Sequence, residues 1–548
     1  MKVLIIGGVA GGMSAATRLR RLDENAEIIV FEQGPHVSYA NCGLPYHIGN
    51  VIPEENRLLL QTPKSLWDRF RLDVRVNNRV TKIDRVAKSI TVQNLETKES
   101  YSETYDSLII STGAKPRASG TPGSERALSL RDVTDAAKIK HLIDSSNIRS
   151  AVIIGAGFIG IELAENFVHR GIETSVVQVR ETILPQFDAE MIEPLQKVLE
   201  QNGVKLFLNT QVQEITESGV LLNDGSKLDA DLVISAIGVT PDHHLAVEAG
   251  ITIGVAGGIE VDQHMRTSDP NIFAVGDAAE KTNAATGDQQ MIWLANLANR
   301  HGRLVADVIA GERVKSRPSI GTGIIGAFGM VAAVTGLTEN QARNLGIAHS
   351  IMHLHPGSHA GYYPGAERLS MKVLFEPKTG KLLGAQTSGL DGADKRIDVL
   401  ATAIFAGLTV NDLMDLELAY APAFGSAKDP INQAGYVGNN LVTEKTNSLQ
   451  WHELESAVAN GAVVVDVRTQ DEHTAGSIPG AVLVPVDELR DHLEQLRGKN
   501  LIVHCAVGQR GHTAVQILKG HGINAKNLDG GYTTWRQGVD AKNRAAKA

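Results

Sequence analysis

Val3-Leu4-Ile5-Ile6-Gly7-Gly8-Val9-Ala10-Gly11-Gly12 stands near the start of the chain and decides its fold class. An apolar strand runs into a glycine turn, a helical segment follows, and a second strand, Glu27 to Phe31, ends at an acid. Glycines let the backbone approach a pyrophosphate, and a carboxylate after the second strand accepts hydrogen bonds from a ribose. This order predicts a dinucleotide site whose residues include Gly7, Gly12 and Glu32.

A second unit of the same kind begins at Ala151. Its turn, Gly155-Ala156-Gly157-Phe158-Ile159-Gly160, has all three fingerprint glycines, whereas Val9 replaces the middle one in the first turn. One glycine pattern is weak evidence, but two in strand and helix context disfavour purely structural turns. We expect this unit to bind a second dinucleotide through Gly155, Gly157, Gly160 and Gln178.

Later strands also close on glycine turns, at Ser111-Thr112-Gly113-Ala114 and at Phe273-Ala274-Val275-Gly276-Asp277. With these segments the chain resembles the flavoprotein disulfide reductases that have two dinucleotide-binding domains. The resemblance implies that the first turn and Gly113 hold FAD, that Asp277 holds the FAD ribitol, and that the second turn holds NADH or NADPH. Gln178 stands where an acid often selects NADH and Arg180 is placed to meet a 2′-phosphate, so the nicotinamide preference stays open.

The chain has 548 residues, 43% hydrophobic and 21% charged, with a net charge of -9. At about 150 residues per domain we expect three or four domains, and the negative charge disfavours a nucleic-acid partner. A strand at the very start leaves no room for a signal peptide, and two unpaired cysteines suit a reducing compartment, so we expect a cytoplasmic protein. Residues 319–338 carry no charge, but their glycines, threonines and strand-like pieces favour a sheet over a membrane span.

After residue 450 the chain resembles a rhodanese, on the segments Asp466-Val467-Arg468, Gly476-Ser477-Ile478-Pro479-Gly480-Ala481, the loop that starts at Cys505, and Leu528-Asp529-Gly530-Gly531-Tyr532. The two resemblances together imply an α/β fold class and a homodimer. The expected domains are an FAD-binding domain (1–118 and 240–318), an NAD(P)H-binding domain (119–239), an α+β dimerisation domain (319–443) and an α/β rhodanese domain (450–548).

Cys42 and Cys505 are the chain's two cysteines, and each lies in a separate motif. A lone thiol cycles through a sulfenate, a persulfide or a mixed disulfide with an outside thiol. Cys42, in Ser38-Tyr39-Ala40-Asn41-Cys42-Gly43, resembles the reactive thiol of the single-cysteine branch: coenzyme A disulfide reductases, NAD(P)H-dependent persulfide reductases and NADH oxidases or peroxidases. His47 replaces the second cysteine of dithiol relatives. We expect a helix N-terminus and the flavin to lower the Cys42 pKa.

Two later motifs resemble the coenzyme A disulfide and persulfide reductases. In His359-Ala360-Gly361-Tyr362-Tyr363 the resemblance implies that Tyr362 reaches the reacting sulfur of the partner subunit. In Tyr420-Ala421-Pro422-Ala423-Phe424, Phe424 replaces a family tyrosine, so a two-tyrosine mechanism is not carried over. The resemblance also implies coenzyme A contacts at Ser14, Arg18, Arg21, Ser38 and Asn41.

Cys505 opens a loop that ends at Arg510. Such a loop points successive N–H groups at one spot and stabilises a thiolate or persulfide, with Arg510 balancing the charge. Its four intervening residues suit sulfur, whereas related phosphatases have five. His353, His355 and His359 lack a carboxylate or cysteine pattern around them, so we expect no metal site.

The combined motifs favour an NAD(P)H-dependent flavoprotein that reduces coenzyme A persulfide, polysulfide or related persulfides, with catalytic roles for Cys42, Cys505, Tyr362 and Arg510. The nearest alternative is coenzyme A disulfide reduction at the same thiol. An NADH oxidase or peroxidase and a redox sensor or sulfur carrier without turnover remain further alternatives. Sequence leaves open which sulfur substrate is used and whether Cys505 passes sulfur to Cys42 directly or through coenzyme A.

Overall fold

The computed structural model describes residues 1–547, so Ala548, the last residue of the predicted rhodanese domain, lies outside the described residues. The chain forms two compact units. The first comprises residues 1–177 and 211–321, and the second comprises residues 178–210 together with the chain from 322 onward.

The helices α1 to α17 are, in chain order, Ala10–Leu22, Leu44–Ile48, Pro63–Phe70, Val133–Ser145, Phe158–His169, Ala189–Gln201, His244–Glu248, Ala295–Ile309, Glu339–Asn344, Ala393–Ala406, Val410–Met414, Pro430–Val442, Leu454–Ala459, Gln470–Thr474, Leu493–Leu496, Gln509–Gly520 and Gly531–Lys547. The strands β1 to β29 are Lys2–Ile6, Glu27–Phe31, Asp73–Arg75, Asn78–Asp84, Ser89–Asn94, Ser100–Thr104, Ser107–Ile110, Ala114–Pro116, Ser150–Ile154, Glu173–Val177, Lys205–Phe207, Val212–Thr216, Gly219–Leu222, Lys227–Asp229, Leu232–Ser235, Val239–Pro241, Ile272–Ala274, Lys281–Thr282, Gln289–Gln290, Gly323–Ala327, Met330–Gly336, Ser350–Leu354, Ser370–Phe375, Leu382–Gly389, Ser448–Leu449, Val463–Asp466, Val482–Leu483, Leu501–His504 and Ala525–Leu528.

The first unit is built on a parallel sheet with strand order β17-β7-β1-β2-β3. Strand β1 is apolar at successive positions because both faces of the sheet are covered. Val3 and Ile5 pack into a core with α1 and α8, while Leu4 and Ile6 pack into a core that includes residues of β4 and β5. The turn between β1 and α1 therefore lies at the carboxyl edge of a parallel sheet, where α/β folds bind ligands.

A second parallel arrangement in this unit joins β10, β9 and β15. Helix α5 follows β9 directly through the second glycine turn and packs against both β9 and β10. The strand, turn, helix and strand order predicted for both glycine motifs is thus confirmed. Two antiparallel sheets, β4-β5-β6 and β12-β13-β14, complete the larger sheets of the unit.

The second unit contains an antiparallel sheet with strand order β20-β21-β24-β23-β22. Its core joins strand residues to the apolar faces of α10 and α12. The uncharged stretch 319–338 forms β20 and β21, as its strand-like pieces predict. Across the part of the chain that the structure describes, no helix is both long and apolar enough to span a membrane.

The last sheet is parallel, with strand order β25-β29-β28-β26-β27. Strand β28 is buried along its whole length and ends at His504, directly before Cys505, with α16 following the loop. Parallel and antiparallel sheets covered by helices confirm the predicted α/β fold class. The predicted boundaries between domains stay predictions.

Candidate active site

The first glycine turn joins β1 to α1 by close backbone contacts. Gly7 has a φ of +102°, and a Cβ atom on Gly12 would lie 1.9 Å from the Gly7 carbonyl oxygen. Glu32, directly after β2, accepts hydrogen bonds from the N–H groups of Gly8 at 2.9 Å and Gly34 at 2.8 Å. Burial raises the pKa of Glu32. The structure therefore brings the three predicted residues of this turn to one edge of the sheet.

The second turn repeats this geometry with one difference. A Cβ atom on Gly160 would lie 2.1 Å from the Gly155 carbonyl oxygen, but among the described residues no atom lies within 4 Å of a Cβ atom placed on Gly157. That open backbone is what a pyrophosphate needs for close approach. Gln178 is buried directly after β10, and its N–H donates to the Phe207 carbonyl at 2.8 Å.

Asp277 lies in a 3₁₀ turn directly after Val275, at the carboxyl edge of the first sheet. Burial raises its pKa, while the charges of Arg131 and Lys281 act in the opposite direction. Lys281 is itself buried and donates to two carbonyls of the same turn at 2.5 and 2.8 Å, and burial lowers its pKa to about 8. Gly113, with a φ of +73°, follows β7 in this sheet. Asp277, a half-buried acceptor beside a glycine turn, fits the ribitol of FAD, and the first glycine turn fits its pyrophosphate.

Cys42 lies in the 3₁₀ turn Asn41–Gly43, immediately before α2, and its side chain is exposed. Loss of solvation raises the pKa of the Cys42 thiol, and the carboxylates of Glu162 and Asp277 raise it further. The expectation that the helix N-terminus lowers this pKa is therefore wrong, and the effect of the flavin on it stays a prediction. Helix α2 has only five residues, so its dipole is small beside two carboxylates.

Glu162, on α5, is the acid next to the Cys42 thiol that the sequence did not mark. Burial raises the pKa of Glu162 to about 7. The Tyr46 hydroxyl lies 3.5 Å from the Glu162 carboxylate, and burial followed by the charge of Glu162 raises the pKa of Tyr46 to about 12. A carboxyl group that titrates near neutrality beside an exposed thiol can donate or accept a proton there. The available signal was its place two residues after Gly160.

The two arginines predicted to contact coenzyme A lie on one face of α1 but have different neighbours. Arg18 Nε pairs with Asp307 at 2.6 Å. The Arg21 guanidinium lies 5.1 Å from the centre of the Phe70 ring. Arg18 is thus partly neutralised, and of the pair only Arg21 lacks a carboxylate partner among residues 1–547. Their joint contact with a nucleotide phosphate stays a prediction.

The other three predicted contacts surround the first glycine turn. Ser14 Oγ donates to Asn299 Oδ1 at 2.7 Å. Ser38 has a φ of +48°, and its N–H donates to the Gly8 carbonyl at 2.8 Å. The Asn41 amide, in the orientation that satisfies both of its ends, pairs with Arg131 at 3.0 and 3.2 Å. Polar side chains therefore line the chain from the glycine turn to Cys42, which suits a polar ligand in this region.

Tyr362 is highly exposed, at 77%, and its hydroxyl lies 3.0 Å from that of Tyr420. This hydrogen bond raises the pKa of Tyr362. Phe424 is also exposed, at 74%. The second tyrosine motif therefore supplies a phenol after all, from Tyr420 rather than from the position of Phe424. The spacing of the motif did not indicate a role for Tyr420, because its hydrogen-bond partner Tyr362 is 58 residues away in sequence.

Cys505 is fully buried in the loop between β28 and α16. The Gly508 N–H donates to the Cys505 sulfur at 3.2 Å, as expected of a loop that surrounds an anion. Arg510 lies at the start of α16 and forms a bidentate pair with Glu472 at 2.6 and 2.7 Å. That pair raises the pKa of Arg510 and lowers the pKa of Glu472 to about 2. Glu472 therefore orients the arginine that the sequence predicted.

Beneath this loop lies a buried polar group. Arg468 pairs with Asp466 at 2.7 Å and lies 4.4 Å from the centre of the Tyr532 ring. His504, directly before Cys505, is buried, and burial lowers its pKa to about 4. His504 is therefore neutral at physiological pH and adds no charge beside the cysteine.

Among the residues that the structure describes, His353, His355 and His359 do not share a hydrogen-bond partner. His353 contacts Asp529 and Glu190, His355 contacts Ser370 and Thr534, and His359 contacts the carbonyl of its neighbour.

In the described chain, the carboxylates of Asp188, Glu190 and Glu339 lie within 4.8 Å of one another, close enough to hold a metal ion. Lys372 Nζ contacts all three, at 2.9, 2.5 and 2.6 Å, so an ammonium group occupies that position. Sequence patterns did not indicate this cluster, because Asp188 and Glu190 stand at the start of α6, Glu339 begins α9 and Lys372 lies in β23, three elements far apart in the chain.

Comparison with known protein families gives three matches. The pyridine nucleotide-disulphide oxidoreductase model matches residues 1–302, the dimerisation domain of the same oxidoreductases matches residues 327–429, and the rhodanese-like domain matches residues 450–538.

Individual proteins with known names or structures are also similar. A coenzyme A disulfide reductase of Staphylococcus epidermidis is 33% identical over 436 residues, which cover 79% of this chain and 99% of that protein. The crystal structure of reduced Bacillus anthracis CoADR-RHD is 44% identical, with a TM-score of 0.97 and 98% of each chain covered. The structure of an NAD-dependent persulfide reductase from A. fulgidus is 34% identical, with a TM-score of 0.91, and covers 98% of this chain and 100% of that one.

Proposed function

This chain belongs to the pyridine nucleotide-disulphide oxidoreductase family and is an NAD(P)H-dependent oxidoreductase with a rhodanese domain, and from this premise we propose that it reduces coenzyme A persulfide or related persulfides. The products are sulfide and a free thiol. The observation that carries the proposal is the setting of the two cysteines: Cys42 is exposed beside a titratable acid, and the buried Cys505 sulfur accepts a hydrogen bond from the Gly508 N–H.

Cys42 performs the first step. Its thiolate attacks the outer sulfur of the persulfide, so a new sulfur–sulfur bond forms at Cys42 while the coenzyme A thiolate leaves. Glu162, with a pKa of about 7, supplies the proton that the leaving thiolate takes up. Bound FAD would supply two electrons from NAD(P)H, and the Cys42 persulfide would accept them as its sulfur–sulfur bond breaks and hydrosulfide leaves. Cys42 returns as a thiolate, and no second thiol in the first unit takes part.

Cys505 handles sulfane sulfur in the proposed scheme. Attack of its thiolate on a donor such as thiosulfate forms a Cys505 persulfide and releases sulfite. The Gly508 N–H and the Arg510 guanidinium stabilise the anionic persulfide. A coenzyme A thiolate then accepts the outer sulfur, which makes coenzyme A persulfide the substrate for Cys42 and regenerates the Cys505 thiolate.

We further propose a homodimer, which the match to a dimerisation domain supports. In this arrangement Tyr362 reaches the reacting sulfur of the partner subunit, and Tyr420 accompanies it as a second phenol. FAD at the first turn, NAD(P)H at the second and coenzyme A near Ser14, Arg18, Arg21, Ser38 and Asn41 complete the proposed assignments.

The decisive experiment is anaerobic turnover by the purified holoenzyme, with coenzyme A persulfide, polysulfide, coenzyme A disulfide and hydrogen peroxide each offered in turn. We expect the highest kcat/KM with coenzyme A persulfide and stoichiometric sulfide release. Cys42→Ser is expected to abolish this activity, whereas Cys505→Ser retains it and loses only sulfur transfer from thiosulfate. Undiminished persulfide turnover by Cys42→Ser would refute the mechanism.

Coenzyme A disulfide reduction is the second candidate, favoured by the names of the relatives that match most of this chain. In that reaction Cys42 carries a mixed disulfide with coenzyme A. A higher kcat/KM for the disulfide than for the persulfide would establish it. Faster turnover of peroxide would indicate an NADH peroxidase, and slow flavin reoxidation by every acceptor would indicate a sensor. Flavin reduction by NADH and by NADPH, measured by stopped flow, decides the nicotinamide preference.

A further inference from the structure

His353 is the second-last residue of β22 and is buried. Its backbone N–H donates to the Asp529 carboxylate at 2.9 Å, and its Nδ1 contacts the same carboxylate oxygen at 2.7 Å. Its Nε2 lies 3.1 Å from Glu190. Burial alone would lower the pKa of His353, but the hydrogen bonds to Asp529 and Glu190 outweigh burial and raise that pKa to about 9. His353 is therefore a buried cation held between two carboxylates.

Asp529 begins the turn that supports the Cys505 loop. At Gly531, where φ is +64°, a Cβ atom would lie 2.5 Å from the Cys505 carbonyl oxygen, so the turn and the loop are in direct backbone contact. Immediately beyond it, the N–H of Tyr532 donates to the Cys505 carbonyl at 2.8 Å, and the N–H of Thr533 donates to the Ala506 carbonyl at 3.0 Å. A displacement of Asp529 is thus transmitted through the turn to the backbone that carries the cysteine.

We propose that His353 is a positioning residue for the sulfur-transfer site: through Asp529 it fixes the turn on which the Cys505 loop rests. The residue belongs to a sheet that precedes the rhodanese-like segment, so an element outside that segment sets the geometry of its reactive loop. The inference rests on the proposed handling of sulfur at Cys505. It assigns His353 no contact with substrate.

A different contact also attaches the end of the chain to the rest of the second unit, but it does not involve Asp529. Lys197, on α6, pairs with Asp540, on α17, at 2.6 Å. If His353 only stabilised the fold, its loss and the loss of this ion pair would lower sulfur transfer and thermal stability in the same proportion. Lys197→Ala is therefore the matched control, because it weakens the attachment of α17 and leaves the Asp529 turn untouched.

Two substitutions at His353 separate positioning from space filling. His353→Asn keeps an amide donor near the place of Nδ1, facing Asp529, whereas His353→Gln moves the donor to the place of Nε2, facing Glu190. Both side chains are polar and uncharged. Each full-length holoenzyme is assayed for sulfur transfer from thiosulfate to cyanide, for the rate of Cys505 alkylation by iodoacetamide, for NAD(P)H-dependent reduction at Cys42, and for thermal unfolding.

We expect His353→Gln to lower kcat for sulfur transfer and the Cys505 alkylation rate about tenfold, the size of effect that loss of one charge-assisted hydrogen bond produces. His353→Asn is expected to stay within about threefold of wild type. The KM for thiosulfate should change little, because Glu472 still holds Arg510. Reduction at Cys42 should be unchanged in both variants.

Equal sulfur transfer by wild type, His353→Asn and His353→Gln would overturn the inference. It would also fall if both variants and Lys197→Ala lost sulfur transfer in proportion to their loss of thermal stability. If wild type formed no Cys505 persulfide by mass spectrometry, the proposed function of Cys505 would fail instead, and the alkylation rates would still decide whether His353 positions the loop.

Discussion

Replacing Lys372 by methionine removes the ammonium group that Asp188, Glu190 and Glu339 share, with little change in side-chain volume. Lys372 is fully buried, and its Nζ lies 2.9, 2.5 and 2.6 Å from the three carboxylates. The variant leaves these carboxylates within 4.8 Å of one another in the core of the second unit. Breaking a buried ion pair by removing one partner costs about 3–5 kcal/mol.

That cost corresponds to a fall in melting temperature of about 10 °C for a cooperative unit of this size. The change of this loss of stability with pH tests whether the loss is electrostatic. In wild type the charges of Lys372 and His353 outweigh burial and lower the pKa of Glu190, so its ionised form stabilises the fold above about pH 4.5 and is lost at lower pH. Without Lys372 the carboxylates bind protons more readily when buried, so the gap between the two proteins should narrow from pH 8 towards pH 5.

The assay is thermal unfolding of the holoenzyme by differential scanning fluorimetry at pH 5, 6.5 and 8. Lys64→Met is the matched control, because Lys64 pairs with Asp68 on the surface with 84% of its side chain exposed. An exposed pair of this kind is worth about 0.5 kcal/mol or less, so the control should melt within about 2 °C of wild type. A Lys372→Met protein that melts as the control does, or a gap that widens as pH falls, would refute the electrostatic reasoning.

Three further predictions concern the first thiol and the residues proposed to serve it. Tyr420→Phe removes one hydrogen-bonded phenol and should lower kcat for persulfide reduction about five- to tenfold, measured as NAD(P)H oxidation. Glu162→Gln removes a carboxylate that raises the pKa of Cys42, so alkylation of Cys42 at pH 8, followed by mass spectrometry, should become faster. Gly12→Ala places a methyl group 1.9 Å from a carbonyl oxygen of the first turn and should yield protein without flavin absorbance, whereas Gly520→Ala, at an open position, should purify yellow.

Each of these predictions has a distinct contrary result. Unchanged kcat in the tyrosine variant would show that the second phenol takes no part in the reaction. Slower alkylation in the Glu162 variant at pH 8 would mean that this carboxylate assists ionisation of the thiol instead of opposing it. A full complement of flavin in the Gly12 variant would show that the turn can rearrange to admit a side chain.

Most of the fold and part of the candidate site could be predicted from local sequence patterns. The glycine turns at Gly7 and Gly155 could be predicted because strand, turn and helix are contiguous in the sequence. The Cys505 loop could be predicted because it is a single short segment. Glu162 and Lys372 were missed because their importance comes from partners far away in sequence, 116 residues away for Tyr46 and 182 for Glu190. The rise in the Cys42 pKa was missed for the same reason, because loss of solvation and two acids distant in sequence cause it.

The two cysteines have different neighbours, and the proposed division of labour follows from that difference. At Cys505, the Gly508 N–H donates to the sulfur and Arg510 lies in the first turn of the following helix, and these are the donors that the proposed storage of a persulfide uses. Around Cys42, Glu162 disfavours an anion and offers a proton near neutral pH. In the proposed scheme, Glu162 therefore protonates a thiolate that leaves the Cys42 site, whereas the sulfur captured at Cys505 stays in its loop until a thiolate acceptor arrives.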